Sequence, residues 1–242
     1  MTWFVLLRKI VKFIRKTGVD RLPFVKSAYR LFYNAILVRF KPKYLDVEGF
    51  RIYLNPADQS ISDRLIMNKK YEQFETEIMK NHVKKGSIVL DIGANIGIHT
   101  LLLAKIVGTE GKVIAFEPDP DNYFYLKRNV RANNLSNIHC VRKAISDTNG
   151  ILYLYVNADN KGDHRTYDSA DNRKKIKIEA VKLDDHLKDF GGKINFVKMD
   201  IQGAEYKAVK GMIHILSNAN MITEFDPYLL EKAGVKPAEY LE

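Results

Sequence analysis

The stretch Ile88–Thr100, IVLDIGANIGIHT, constrains the fold of this 242-residue chain more than any other. Ile88, Val89 and Leu90 form a short apolar run suited to a strand buried on both faces. Asp91 ends the run. Gly93 and Gly97 flank a loop, and apolar helical spacing begins near Ile98. A strand, a glycine turn and a helix start place bare backbone N–H groups beside a bound small molecule. A second strand is expected at Lys112–Glu117, ending in an acid and followed by Pro118. An acid at the tip of strand two can accept both hydroxyls of a ribose. The chain is therefore expected to hold a nucleoside-bearing cofactor at the carboxyl ends of a parallel sheet.

The dinucleotide fingerprint G-x-G-x-x-G is absent. The spacing is D-x-G-x-N-x-G, with Ala94 and Asn95 between the glycines. S-adenosylmethionine carries no phosphate, only a sulfonium and an amino-acid end. Asp91, at the loop entrance, can hold that ammonium group, and Gly93, Ala94, Asn95 and Gly97 can contact the methionine part. With Glu117 and Pro118 for the ribose, this reads as a class I methyltransferase, an α/β Rossmann-like, doubly wound sheet. The competing reading is a glycine turn in another α/β enzyme, such as a Rossmann oxidoreductase.

A further stretch, FVKMDIQGAE at Phe196–Glu205, follows. With DIGANIGIHT, AFEPDP, TEFDP, YEQFET at Tyr71–Thr76 and KLDDHL at Lys182–Leu187, it resembles the FkbM family of S-adenosylmethionine-dependent methyltransferases. The resemblance runs from about Gly49 to the end. It implies O-methylation, often of a hydroxyl on a sugar or a secondary metabolite. It also implies that Tyr71 and Glu72 reach back towards the cofactor. One departure stands out: the family's KxDxEGAE box has Gln202 where Glu is usual. The change removes a charge, keeps an acceptor and adds a donor.

Net charge is +10, and its distribution decides its meaning. Residues 1–43 hold eleven Lys/Arg against one acid, Asp20, whereas the remaining residues hold 28 of each sign. A neutral domain argues against a nucleic-acid acceptor. The N-terminal arm is periodic at about 100° per residue. Trp3, Phe4, Leu6, Leu7, Ile10, Val11, Phe13 and Ile14 fall on one half of a helix, and Arg8, Lys9, Lys12, Arg15 and Lys16 on the other. This is the pattern of an interfacial membrane helix. The expected division is a basic amphipathic arm over 1–43 and a methyltransferase domain over 44–242. The expected location is cytoplasmic, peripheral on the inner face of the membrane. The alternative is that the arm packs on the domain or on a second subunit of a homo-oligomer. No stretch reaches the ~20 apolar residues of a spanning helix. A single cysteine, Cys140, excludes an internal disulfide.

Along the chain, Tyr44–Asn55 reads as a hairpin around Glu48 and Gly49, and Tyr71–Val83 as a helix. Ile151–Val156 and Ile176–Val181 read as an inserted hairpin whose loop, Asn157–Lys175, could close over the cofactor. Helices are expected at Pro120–Asn133, capped by Asp119, and at Glu205–Leu216; strands at Ile138–Lys143, Asn195–Ile201 and Asn220–Phe225. Ser146 and Asp147 fall where an adenine edge is commonly read. Asp200 follows strand four, where cofactor and acceptor meet, and Glu205 lies one turn into the next helix. His164 is the candidate general base for a hydroxyl proton, against a solvated loop histidine. No metal-ligand spacing is present, so no metal is expected. The last two strands usual in this fold are expected to be missing: either the sequence is truncated or a partner covers the exposed edge.

The resulting expectation is methyl transfer from S-adenosylmethionine to a hydroxyl on a glycan, glycolipid or small metabolite. A catalytically inactive cofactor-fold protein at a membrane is the alternative.

Overall fold

The structure is a computed structural model that describes residues 3–16 and 23–241. Two helices open it, α1 (Trp3–Lys16) and α2 (Pro23–Ala35), followed by a 3-10 turn at Leu37–Phe40. The hairpin β1 (Tyr44–Val47) and β2 (Phe50–Tyr53) turns on Glu48 and Gly49, both at positive φ. Helices α3 (Ile61–Asn68) and α4 (Gln73–His82) lead into the central sheet.

That sheet comprises β3 (Ile88–Ile92), β4 (Lys112–Phe116), β5 (Ile138–Val141), β9 (Ile194–Met199) and β10 (Asn220–Thr223). Its order is β10-β9-β3-β4-β5, and every pairing is parallel. Helices α5 (Ile98–Val107) and α6 (Pro120–Ala132) carry the chain outward from β3 to β5. The chain then returns to β9 on the other side of β3. The strand order reverses there, and a crevice opens above the carboxyl ends. Almost all of α5 is buried, which explains a sequence apolar on nearly every side.

Between β5 and β9 lies a second, three-stranded sheet. Strand β6 (Ala144–Ile145) pairs with β8 (Lys174–Val181), which pairs antiparallel with β7 (Gly150–Val156). The expected inserted hairpin is present. Ile145, Val181 and Leu183 join it to the main core beside Phe116, Val197 and Met199. The short helix α7 (Leu183–His186) follows.

The helix expected over Glu205–Leu216 is instead two, α8 (Glu205–Lys210) and α9 (Ile213–Leu216). Gly211 is pressed against the Ser146 carbonyl, where an added Cβ would lie 2.0 Å from the oxygen. Asp184 then caps α9 by accepting from the amides of His214 and Ile215. Tertiary contact thus outweighs helical periodicity. The chain ends with α10 (Pro227–Lys232) and α11 (Pro237–Leu241), and Tyr240 of α11 hydrogen-bonds Thr223 of the edge strand at 2.8 Å.

The arm is not set apart from the domain. Phe4, Tyr33 and Leu37 are fully buried in one core with Val47, Ile52, Leu65, Ile96 and Leu101. Asp63 of α3 ties it down, 2.9 Å from Arg8, 2.8 Å from Lys41 and 2.7 Å from the Tyr33 hydroxyl. The packing alternative therefore accounts for the Phe4 side of α1. Trp3, Leu6 and Ile10 stay exposed. No helix among the described residues is long and apolar enough to cross a membrane.

Candidate active site

A cavity of about 300 Å³ opens over the carboxyl ends of β3, β4 and β9. The glycine loop forms its floor. Gly93 has φ +79°, and an added Cβ would sit 1.9 Å from the Asp200 carbonyl oxygen. Gly97, at φ +92°, is pressed on Leu126 of α6. These glycines let the loop pack against its neighbours. Within the loop itself, residues 93–97, the amides are not bare. Gly93 and Ala94 both donate to the Phe116 carbonyl, Asn95 donates to Glu117, Ile96 to the Asn95 side chain and Gly97 to the Ala94 carbonyl. All five amides are satisfied internally. The loop itself thus offers no free amide to a ligand.

Glu117 and Pro118 line the cavity as expected. The Glu117 carboxylate accepts from the amides of Asn95 (2.8 Å) and Asp119 (2.9 Å). Burial pushes its pKa up to about 8. Each carboxylate oxygen keeps a lone pair, so ribose hydroxyls can still be accepted.

Asp91 does not line the cavity. It is fully buried, accepts the Thr100 hydroxyl at 2.5 Å and lies 3.5 Å from the Lys198 ammonium. Its charge is spent holding Lys198. Burial pulls that ammonium's pKa down, but Asp91, Asp200 and Glu72 together outweigh it, and the net shift is upward. Lys198 faces the cavity and can hold the methionine carboxylate. Glu72 and Asp200, both cavity-lining, can then hold the ammonium group. Glu72 sits at φ +36°, a left-handed position that favours glycine, so the backbone is strained to aim this side chain. Burial, with Asp200 contributing, raises its pKa. His99, buried, points Nε2 towards Glu72 at 3.8 Å with no hydrogen-bond partner, and its ring lies 5.3 Å from that of Tyr71.

At the other end, Lys143, Ala144, Ile145 and Leu154 form the wall, not Ser146 and Asp147. The Ser146 amide donates to the Val181 carbonyl and its hydroxyl to Asp147. The two-residue strand β6 carries Ser146 into the second sheet and away from the cleft. Sequence spacing held no sign of this pairing across some 36 residues.

The lid loop lies over the cleft and is pinned. The Lys161 carbonyl accepts from the side chains of Asn95 (2.9 Å) and Asn122 (2.8 Å), and its amide donates to Asp58 at 3.0 Å. Inside the loop, Asp163 pairs with Arg165 and Arg173. His164 reaches the cavity but is buried, and Nδ1 accepts the Asn157 amide at 3.0 Å. A neutral imidazole that accepts at Nδ1 carries its proton on Nε2, here 3.8 Å from Asp119. Burial also lowers its pKa. The ring has no lone pair left for a hydroxyl proton, so its place is in holding the lid.

Four polar side chains gather at the ends of β9 and β10. Glu205 does not line the cavity; its oxygens accept from the amides of Ile201 (3.0 Å) and Gly203 (2.8 Å), which shapes the turn. Asp200, Gln202 and Glu224 do line it. The Gln202 amide donates to Asp200 at 2.7 Å and to Glu224 at 2.8 Å. Glu224 was not among the expected site residues, although its sequence signal was the TEFDP motif. Oxygens of Asp200, Glu205 and Glu224 lie within 4.8 Å of one another, close enough in principle to ligate a cation. N–H donors already face all three.

The residues present fit S-adenosylmethionine: a fixed carboxylate for the ribose, Lys198 for the carboxylate end, and Glu72 with Asp200 for the ammonium. A family profile described as Methyltransferase FkbM domain matches residues 91–240. A second, Protein-L-isoaspartate(D-aspartate) O-methyltransferase, matches residues 10–148 and so stops short of Asp200 and Glu224. Hexuronic acid methyltransferase AglP of Haloferax volcanii is 29% identical over 161 residues, 65% of this chain and 63% of that protein. Methyltransferase sdnD of Sordaria araneosa is 27% identical over 182 residues, 62% of this chain and 68% of that protein. This chain thus spans about two-thirds of the length of these relatives. Among solved structures, an rRNA methylase from Streptococcus thermophilus aligns at 13% identity, covering 66% of this chain and 76% of that one, with a TM-score of 0.40. The chain belongs to the FkbM methyltransferase family, with a class I Rossmann-like fold and S-adenosylmethionine as cofactor.

Proposed function

We propose that this protein methylates a hydroxyl oxygen on a sugar unit of a glycan, glycolipid or small metabolite. The observation that carries the reading is the acceptor end of the cavity, where Asp200, Gln202 and Glu224 offer polar contacts and proton acceptors to a hydroxyl. The relation to a hexuronic acid methyltransferase supports a carbohydrate acceptor. The cofactor supplies a methyl group on a sulfonium, already a good leaving group. The protein's part is therefore alignment, exclusion of water and proton removal. Glu117, Lys198 and Glu72 would fix the cofactor, and the pinned lid would close the cleft. The test is single-turnover transfer from methyl-labelled cofactor to a membrane and glycan extract, followed by glycosidase digestion. Label released in sugar fragments supports the reading. Label found only in protein or nucleic acid overturns it.

The arm adds a place of action. On α1 the exposed Trp3, Leu6 and Ile10 recur at i, i+3 and i+7, so they form one stripe beside the buried Phe4 face. Leu31, Ile36 and Phe40 are exposed nearby in sequence. The whole net positive charge lies in these first 43 residues. An anionic bilayer complements both features. Replacing Trp3, Leu6 and Ile10 by Ser should abolish co-sedimentation with phosphatidylglycerol vesicles at low salt and leave the melting temperature unchanged. Undiminished sedimentation would refute the contact.

A further inference from the structure

We infer that Glu224 is the general base of methyl transfer, and that Gln202 is the positioning residue that holds it against Asp200. The inference rests on the hydroxyl-acceptor reading above.

The sheet order carries the first step. Strands β4, β3, β9 and β10 lie side by side. Glu117, after β4, marks the ribose. Asp200 and Glu224 follow β9 and β10, on the far side of the glycine loop. A proton acceptor for the incoming hydroxyl has to sit on that side. Of the polar groups in and beside the cavity, Lys198 is a cation facing Asp91, Asp200 and Glu72. His164 has its lone pair engaged, and Glu205 is turned away into its own loop. Asp200 and Glu224 remain.

Two observations separate them. Asp200 faces the Lys198 ammonium, at the amino-acid end of the cofactor site. Glu224 is an exposed residue whose carboxyl end meets Gln202 and Asp200. Loss of water around that end, then the negative charge of Asp200, push its pKa up to about 8. Glu224 is exposed where Asp200 is only half so, and that exposure lets a proton escape to solvent between turnovers.

Gln202 explains the arrangement. Its backbone is at φ +55°, which favours glycine, and its amide spans both carboxylates. A glutamate there would add a third negative charge to the pair. An amide instead donates one hydrogen to each and keeps them together. The departure from the family's usual residue is thus compatible with catalysis.

The step balances. The acceptor oxygen forms a bond to the methyl carbon, and the carbon–sulfur bond breaks with its electron pair passing to sulfur, giving a neutral thioether. The hydroxyl proton moves to Glu224, whose acid form hydrogen-bonds Asp200.

The experiment follows Glu224 in full-length protein with ¹³C-labelled glutamate carboxyls, the signal being assigned by its loss in Glu224→Gln. Free protein should show a midpoint near 8. Asp200→Asn should lower it. S-adenosylmethionine should lower it further than S-adenosylhomocysteine, because only the former is a sulfonium cation. Midpoints equal with both cofactors, or unmoved by Asp200→Asn, would overturn the inference. In the labelled-cofactor assay, Glu224→Gln should slow transfer by about 10²–10⁴-fold, with cofactor Kd nearly unchanged. An equal rate in that variant also overturns it. If wild-type label enters only protein or nucleic acid, the hydroxyl reading fails, and the carboxyl titration still decides where Glu224 stands.

Discussion

Asp91 and Lys198 form a buried pair beneath the cofactor cavity, and their removal one at a time should have unequal costs. Removing one partner of such a pair costs about 3–5 kcal/mol, because the other charge is left uncompensated. Asp91→Asn leaves Lys198 facing Asp200 and Glu72, so its cost belongs near the lower figure. Lys198→Met leaves the fully buried Asp91 carboxylate with one hydroxyl donor, Thr100, so its cost belongs near the upper one. For a domain of this size each kcal/mol moves the melting temperature by about 2–4 °C. Asp91→Asn should therefore melt about 6–12 °C lower and Lys198→Met about 10–20 °C lower. The double variant no longer strands the Asp91 charge and should recover part of the loss, with Asp200 and Glu72 still lacking their cation. Scanning calorimetry without cofactor measures all three, and titration with S-adenosylhomocysteine measures binding separately. If Asp91→Asn melts with the wild type while binding collapses, Asp91 is a direct cofactor ligand and the reasoning here is refuted.

Three further outcomes are expected. Accepting ribose hydroxyls favours the ionised form of Glu117, whose pKa is raised to about 8. Cofactor binding should then release a proton and weaken by up to about tenfold per pH unit below 8, flattening in Glu117→Gln; equal affinity at pH 6 and 8 by calorimetry speaks against it. Burial first, and Lys198 second, push His99 down to about 3. The unfolded chain takes this proton first as pH drops below about 6.5, so stability present above that pH is lost towards pH 3, by up to about 1.4 kcal/mol per unit. Urea titrations across that range should show a shallower fall in His99→Phe, and an identical slope would sink the assignment. Finally, Phe4→Ala should cost about 3–5 kcal/mol in denaturant unfolding, whereas Trp3→Ala should stay within about 0.5 kcal/mol. Equal effects would mean that α1 does not pack through Phe4.

Much of the scaffold was legible because its signals are local. Val89 and Leu90 before a glycine turn, Asp119 capping α6, and Glu48–Gly49 at a hairpin all act over a few residues. Their structural counterparts appear where expected, including the Asp119 side chain accepting from Asn122 at 2.9 Å. The position of Glu117 at a strand tip and on the cavity wall has the same local cause. Ser146, Asp91 and His164 are surrounded instead by partners that strand or helix spacing does not place beside them. Ser146 is claimed by Val181, Asp91 by Lys198 and Thr100, and the His164 ring by Asn157 within a folded loop.

The amphipathic arm shows the same division. Periodicity defined a helix with a wide apolar face, but not which part of that face meets the protein. Hydrophobic spacing reports that a surface prefers to leave water and carries no address for its partner. By itself the sequence determined the order of the central strands and their first two crossover helices, the acid at the tip of β4, the glycine turn after β3 and the family. The tertiary structure alone decided that the loop amides are satisfied internally, that Lys198 rather than Asp91 lines the cavity, and that Glu224 joins Asp200 through Gln202. Those outcomes depend on which strands become neighbours and on which buried charges must be neutralised once they are, and both are set only when the sheet has closed.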